Sequence, residues 1–326
     1  MLEFKRSKNF IFNIPVKLNF KVLLKLFLLP IWDVIYFLFF KCFCRKKPNL
    51  KKKFDVSICA IFKDEALYFV EWIEYHKLIG INHFYLYNNF SNDNFQEVLD
   101  PYISDGIVTL VDWPIKFGQG SAYQDCFQKY QNDTSWIAFL DIDEFICLKW
   151  DLKILPWLRK FKNYPSIALY WKMFGTCGKI KRTPNSLIIE DFYNCWPKFS
   201  DVTKVIINTN YSGFDFNDMH TMSVKMIFLN FKFRIYPINE FYRVLRYGIN
   251  FRTGFKSSES FTVQINHYWS KSYNDYVTKK SIRGVPHLNQ PRDLEIFYIH
   301  ENNNTSSDFT IWRHLIRLKT VINNLV

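Results

Sequence analysis

Trp136-Ile137-Ala138-Phe139-Leu140-Asp141-Ile142-Asp143-Glu144-Phe145 is the stretch on which the fold turns: five apolar or small residues run straight into three carboxylates. An apolar run without alternation predicts a strand buried on both faces. Ionised carboxylates inside such a strand would cost several kcal/mol unless paired, roughly the penalty of burying any bare charge. The strand is therefore expected to end at Asp141, with Asp141 and Asp143, two apart, facing a crevice and a cation.

Working outward, the flanking sequence alternates between strand and helix signals. Phe54–Phe62 reads as a first strand, broken by Lys63-Asp64-Glu65. Ala66 to Ile79 has helical spacing, with Phe69, Ile73 and Leu78 apolar and Gly80 as a C-terminal stop. His83–Tyr87 reads as a second strand, ending in Asn88-Asn89-Phe90-Ser91-Asn92-Asp93, before a short helix to about Tyr102. A third strand is expected over Ile107–Val111, ending in Asp112-Trp113-Pro114, then a helix over 119–131 and the quoted strand over 135–140. This is the α/β pattern of a mainly parallel central sheet flanked by crossover helices. Ligands of such sheets sit outside the carboxyl ends of the strands, where Lys63, Asn89, Trp113 and Asp141 all fall.

The charge points away from nucleic acid. Of the net +13, all but +2 lies in residues 1–53, where 13 lysines and arginines face only Glu3 and Asp33. A nucleic-acid enzyme spreads basic residues over its working face; here they sit on an arm. From Ile14 to Cys44 lysines mix with Leu, Phe, Ile and Trp, and the segment Leu26–Phe40 contains Pro30 and Asp33. A spanning helix needs about 20 apolar residues, so the arm reads as a basic amphipathic segment on an anionic membrane surface, with packing on the domain or a single pass as alternatives. Pro48 and the following lysines form a linker. The seven cysteines make an odd count with no metal-site spacing. Together with the lack of a convincing spanning helix they favour a peripheral protein on the cytoplasmic face. Cys59, Cys126 and Cys147 read as buried hydrophobes. The expected organisation is an arm over 1–53, a catalytic domain over 54–308, and a terminal amphipathic helix over 309–326 with Ile311, Leu315, Leu318 and Ile322 on one face.

Asp141-x-Asp143 offers hard oxygen ligands to Mn2+ or Mg2+. A reaction that needs them is departure of a nucleoside diphosphate from a sugar. A metal-dependent phosphatase would use the same residues, but there the pair belongs on the first strand rather than the fourth. A carbohydrate-binding or scaffolding protein without turnover is the remaining alternative.

Several stretches together resemble glycosyltransferase family 92. They are Ile58–Ala66, Glu71-Trp72-Ile73-Glu74-Tyr75-His76, His83–Asn89 and Asp141-Ile142-Asp143-Glu144-Phe145, with Trp171-x-x-Phe174-Gly175 and Asn266-His267-Tyr268-x-x-Lys271-Ser272 following in order. The resemblance covers roughly 54–310 and implies a GT-A (Rossmann-like) fold akin to glycosyltransferase family 2, and a nucleotide-sugar donor such as a UDP-hexose. It also implies inversion at the anomeric carbon, some members moving galactose. The chain departs from the pattern at Asp64, Asp93 and His300-Glu301-Asn302.

Candidate roles follow. Asp141, Asp143 and His267 are the metal ligands. Lys63, Glu65, Asn89, Gln119, Tyr123 and Lys271 are the donor contacts, with Gln119 and Tyr123 opening the helix after the Gly118-x-Gly120 bend. Lys279, Lys280 and Arg283-Gly284 are either phosphate contacts or a solvated face. Ser272 with Asp275 spells a capping box. Trp171, Gly175 and His220 are placed with the sugar or a saccharide acceptor. For the base that deprotonates the acceptor, Glu190 and Asp191 come first, with Glu144 and His220 as alternatives.

Overall fold

The computed structural model describes residues 4–6, 13–15, 20–43, 46–47, 51–228, 231–245, 260–282 and 294–325. Arg283-Gly284 and the Pro48 linker lie outside the described residues.

A long helix, α1 (Phe20–Phe43), precedes the sheet. Then come β1 (Phe54–Phe62), α2 (Ala66–Leu78), β2 (His83–Asn88), α3 (Phe95–Ser104), β3 (Val108–Asp112), α4 (Gln119–Tyr130) and β4 (Thr134–Phe139), close to the bounds read from the sequence. Gly80 ends α2's turn at φ +98°, a conformation that only glycine adopts freely. Strands β1, β2, β3 and β4 are mutually parallel. The sheet then continues with β5 (Glu144–Leu148), β6 (Ser166–Met173), β7 (Thr203–Asn208) and β8 (Val263–His267). Its eight strands run in the order β3-β2-β1-β4-β7-β6-β8-β5. β7 is antiparallel to both β4 and β6, β6 and β8 are parallel, and β5 returns antiparallel to β8.

The apolar residues of β1 divide between two layers. Val56, Ile58 and Ala60 pack with Phe69, Trp72 and Ile73 of α2. Cys59 faces Tyr123 and Cys126 of α4, with Phe139 and Val205. Burial on both faces is why these strands read as continuous apolar runs. Cys59, Cys126 and Cys147 are buried free thiols, as expected.

The edge strand β5 is covered by α2. Trp72 Nε1 donates to Glu144 O (2.8 Å), Tyr75 OH donates to Ile146 O (2.8 Å), and Ile146 N donates to His76 Nε2 (3.3 Å). Side chains thus satisfy an edge that would otherwise be open to pairing with another chain. The terminal helix Leu315–Asn323 lies against α2 with Leu318 buried.

One face of α1 packs on the domain. Tyr36 OH donates to Tyr236 O at 2.9 Å, Phe40 stacks on Tyr164, and buried Asp33 lies 3.7 Å from Arg243. Phe20, Leu24, Phe27, Ile31, Val34 and Leu38 are exposed, and their three-and-four spacing puts them on the opposite side of the helix. No helix among the described residues is long and apolar enough to cross a membrane.

Candidate active site

The chain leaves the sheet centre at Asp141. β4 ends at Phe139, Glu144 N bonds back to Asp141 O (3.1 Å), and the next strand, β5, begins at the far edge of the sheet. The Asp141-Ile142-Asp143 turn therefore crosses the ends of the intervening strands. It meets the start of β7 (Lys204), β6 (Trp171) and the end of β8, where His267 pairs in register with Glu144. One rim of the sheet gathers residues that are far apart in the chain.

Asp141 is held from below. Lys204 Nζ lies 2.9 Å from its Oδ2 and 3.4 Å from Glu144 Oε2, and Gln119 Nε2 donates to Asp141 Oδ1 at 2.8 Å. Tyr123 OH bonds Gln119 Nε2 and reaches Asp141 Oδ1 at 3.4 Å. Although burial opposes ionisation of Asp141, Lys204 wins and holds its carboxyl below the usual range. Glu144 is fully buried with Oε1 unpartnered, and burial pushes its carboxyl well up against the pull of Lys204. Glu144 accepts from Asp141 N (3.0 Å) and fixes the turn. Its side chain is fully buried beneath that turn.

Asp143 is held from above. Lys280 Nζ lies 2.6 Å from Oδ2, and His267 Nε2 lies 3.5 Å from Oδ1. Burial again opposes its charge, but Lys280 and His267 bring the carboxyl well below its ordinary range. Burial lowers His267 to about 4, so its ring is neutral at physiological pH, with Nδ1 unpartnered.

The donor candidates divide. Lys271 follows β8 at φ +51°, a strained conformation for a lysine. Its buried ammonium lies 3.5 Å from the centre of the Tyr68 ring and 3.4 Å from Glu65 Oε2. Lys279 Nζ donates to Asp64 O (2.7 Å) and reaches Glu65 at 4.0 Å. Lys63 is half-buried at the end of β1. Asn89 spends its amide on Trp113 O and Ile115 O, shaping the loop before α4. Asp64 and Asp93, the departures from the family pattern, stitch two loops together: Asn92 N donates to Asp64 (2.7 Å) and Ala66 N to Asp93 (2.8 Å). The Ser272–Asp275 capping box is formed and opens a turn wound as a π-helix over Tyr276–Ser281.

Trp171 lies between two imidazoles, its ring centre 4.3 Å from His267 and 5.2 Å from His220, with its buried Nε1 unpartnered. His220 Nδ1 lies 3.0 Å from Thr203 O. A carbonyl only accepts, so Nδ1 carries the proton and Nε2 keeps its lone pair. Burial, then Lys204, lowers the ring's proton affinity. Gly175 has a packing reason: a Cβ there would meet Asn304 Nδ2 at 1.8 Å.

Glu190 and Asp191 are engaged elsewhere. Glu190 pairs with Lys319 of the terminal helix (2.5 Å), and Asp191 with Lys179 (2.9 Å) and Ser186 (2.5 Å). Their short helix is fixed to α2 through Glu71, which accepts from Ile188 N and Ile189 N. Lys204 and Asp143's partner Lys280 carry more of the rim than the sequence reading assigned. Lys204 did leave a signal, a lone lysine inside the apolar run Thr203-Lys204-Val205-Ile206-Ile207.

Among the described residues no group of three carboxylates, imidazoles or thiols is clustered ready for a metal. Asp143 Oδ1 and His267 Nε2 nonetheless converge: they lie 3.5 Å apart, a side-chain adjustment wider than the roughly 3.0 Å between adjacent ligands of an octahedral cation. Asp141 adds charge next to them. The donor set suits Mn2+ or Mg2+.

This rim lies at the carboxyl ends of a mainly parallel sheet, where the sequence reading placed its ligands. A family 92 protein of Oryza sativa subsp. japonica is 29% identical over 135 residues, 40% of this chain and 23% of that protein. One of Ricinus communis is 30% identical over 104 residues, 32% of this chain and 18% of that protein. The chain thus covers less than a quarter of the length of these relatives. Similar solved structures include S. aureus TarS in complex with UDP (TM-score 0.33, 17% identity, 48% of this chain and 47% of that one). Another is glucosyl-3-phosphoglycerate synthase of Mycobacterium tuberculosis in complex with Mn2+, UDP and glucosyl-3-phosphoglycerate (TM-score 0.30, 11% identity, 48% and 57%). The model of glycosyltransferase family 92 matches residues 52–320, from just before β1 into the terminal helix and across the whole rim, and this chain belongs to that family.

Proposed function

We propose that the protein transfers a hexose, galactose as the first choice, from a nucleotide-diphosphate sugar to a glycan or lipid-linked saccharide with inversion. The observation that carries the reading is the rim itself: two carboxylates at the end of a central parallel strand, faced by lysines from β7, the turn after β8 and the π-helical turn. Loss of a diphosphate concentrates negative charge on the leaving group, and preorganised cations lower that barrier. When bound, Mn2+ or Mg2+, held by Asp143, His267 and Asp141, would supply further positive charge to the leaving group. Lys271 and Lys279 lie where phosphate oxygens can replace their Glu65 and Asp64 contacts. The unpartnered Trp171 Nε1 offers a donor to a sugar hydroxyl.

His220 is our choice for the base. Its bare Nε2 can take the proton of the acceptor hydroxyl, and its Nδ1–H is anchored on a backbone carbonyl. Glu190, Asp191 and Glu144 have other duties.

The arm supports the second half of the reading, attachment to an anionic membrane surface. Asp33 turns inward to Arg243, so the outward face of α1 presents Phe20, Leu24, Phe27, Ile31, Val34 and Leu38 without an acid among them.

A panel of UDP-sugars with Mn2+ or Mg2+, read by thermal shift and by donor hydrolysis, tests the reaction. At least one donor should stabilise the protein only with metal, and Asp143→Asn should abolish that shift. His220→Gln should keep donor hydrolysis while transfer to acceptor falls on the order of 100-fold. Absence of both metal-dependent UDP binding and hydrolysis across the panel would overturn the reading.

A further inference from the structure

Each carboxylate of the Asp141–Asp143 pair already has an ammonium partner, and the two partners are built differently. Lys204 rises from within β7, is 1% exposed, and is shared between Asp141 and Glu144. It has nowhere to go without leaving two carboxylates bare. Lys280 comes from the π-helical turn Tyr276–Ser281, is 20% exposed, and meets Asp143 Oδ2 at 2.6 Å. Its Nζ also lies 5.4 Å from the centre of the Trp269 ring. π-Helical turns recur at functional sites. This one widens the winding enough to send the consecutive residues Lys279 and Lys280 to Asp64 O and Asp143.

We propose that Lys280 is a resident counter-ion that gives up Asp143 to the metal-bound donor and moves to the donor's diphosphate, so that metal and nucleotide bind well only together. The inference rests on the donor reading above. Its basis is charge: with Lys204 on Asp141 and Lys280 on Asp143, the carboxylate pair is neutralised and a divalent cation alone gains little by approaching it. A nucleoside diphosphate carries the charge needed to draw Lys280 away. Once Lys280 is on phosphate, Asp143 is open to the cation beside His267. Lys204 stays in place throughout and keeps Asp141 in position. Coupling of this kind is reciprocal: whatever factor the nucleotide adds to metal affinity, the metal adds to nucleotide affinity.

The experiment compares wild type, Lys280→Met and Lys279→Met in the full chain. Mn2+ binding is read by the electron paramagnetic resonance of free Mn2+, and UDP binding by calorimetry with and without Mn2+. In Lys280→Met, Mn2+ alone should bind on the order of tenfold more tightly than in wild type. UDP at saturating Mn2+ should bind on the order of tenfold more weakly, and the coupling between the two should shrink. Lys279→Met, which removes the neighbouring ammonium without touching Asp143, should weaken UDP and leave Mn2+ alone unchanged. Lys280→Gln, of similar length, repeats the test should the methionine variant melt early. If Mn2+ binds Lys280→Met or Lys280→Gln no more tightly than wild type, or if Lys279→Met tightens it equally, the resident counter-ion is wrong and the donor reading stands. Wild type that binds no UDP with or without Mn2+ would remove both.

Discussion

Replacing Lys204 by Met should unfold the protein from beneath its carboxylates, and the loss should depend on pH in a stated direction. Lys204 Nζ is the counter-ion of Asp141 at 2.9 Å and of Glu144 at 3.4 Å. Removing one partner of a buried ion pair costs about 3–5 kcal/mol, because the other charge is left uncompensated. Asp141 is 34% exposed and water can take over part of its solvation, whereas Glu144 is fully buried with Oε1 already unpartnered. The cost therefore depends on the charge of Glu144, and reaches the lower part of that range, about 3 kcal/mol, where Glu144 is ionised in the wild type. Burial raises the Glu144 carboxyl in the native state, and without Lys204 it rises further. Below the wild-type folded value both native states hold the Glu144 proton; between it and the variant's higher value only the variant's native state still does. The deficit then grows as pH rises through that window, by about 1.4 kcal/mol per unit. Urea unfolding followed by tryptophan fluorescence should show the deficit of Lys204→Met small near about pH 5 and large near about pH 8. Glu144→Gln in the same background should recover most of it. A deficit below about 1 kcal/mol at the higher pH, or one that does not change with pH, would refute the claim that Lys204 carries the buried acid.

Three further outcomes are expected. Gly175→Ala puts a Cβ 1.8 Å from Asn304 Nδ2 and 2.5 Å from its Cγ, so it should cost about 1–3 kcal/mol in urea unfolding through overpacking; a neutral result would mean that Asn304 moves aside freely. His76 accepts from Ile146 N and is held by burial at about 3. Its folded value lies below the unfolded one, so its contribution is present above about pH 6.5 and is lost as pH falls, by about 1.4 kcal/mol per unit. His76→Gln should flatten that part of the stability profile, and an unchanged slope would assign it to other groups. Phe27→Glu with Ile31→Glu should abolish flotation with anionic vesicles while leaving the melting temperature in place, since both side chains point into solvent; retained flotation would place the membrane contact elsewhere.

Much of the parallel half was legible because it is local. Each strand from β1 to β4 is an apolar run bounded by turn residues, and each helix carries its own spacing, so order and type follow from short stretches. The position of Asp141 at a strand end was legible for a thermodynamic reason: ionised carboxylates do not stay unpaired inside an apolar strand. Chain order served less well beyond Met173. It placed Glu190 and Asp191 with the chemistry, whereas Glu71, Lys179 and Lys319 draw them to the α2 side. Asn89, expected at the donor, holds a loop.

What the sequence by itself determined was the class of fold, the strand that ends in acids, and the family to which those acids belong. The tertiary structure alone decided which partners the acids meet. Lys204 reaches Asp141 because β7 inserts antiparallel beside β4. His267 reaches Asp143 because the chain crosses from the sheet centre to its edge at the Asp141-Ile142-Asp143 turn. Apolar periodicity encodes how a segment folds on itself, but neither its register nor its neighbours in the sheet. Those are settled by which faces can be buried together, and the candidate site is assembled at that level.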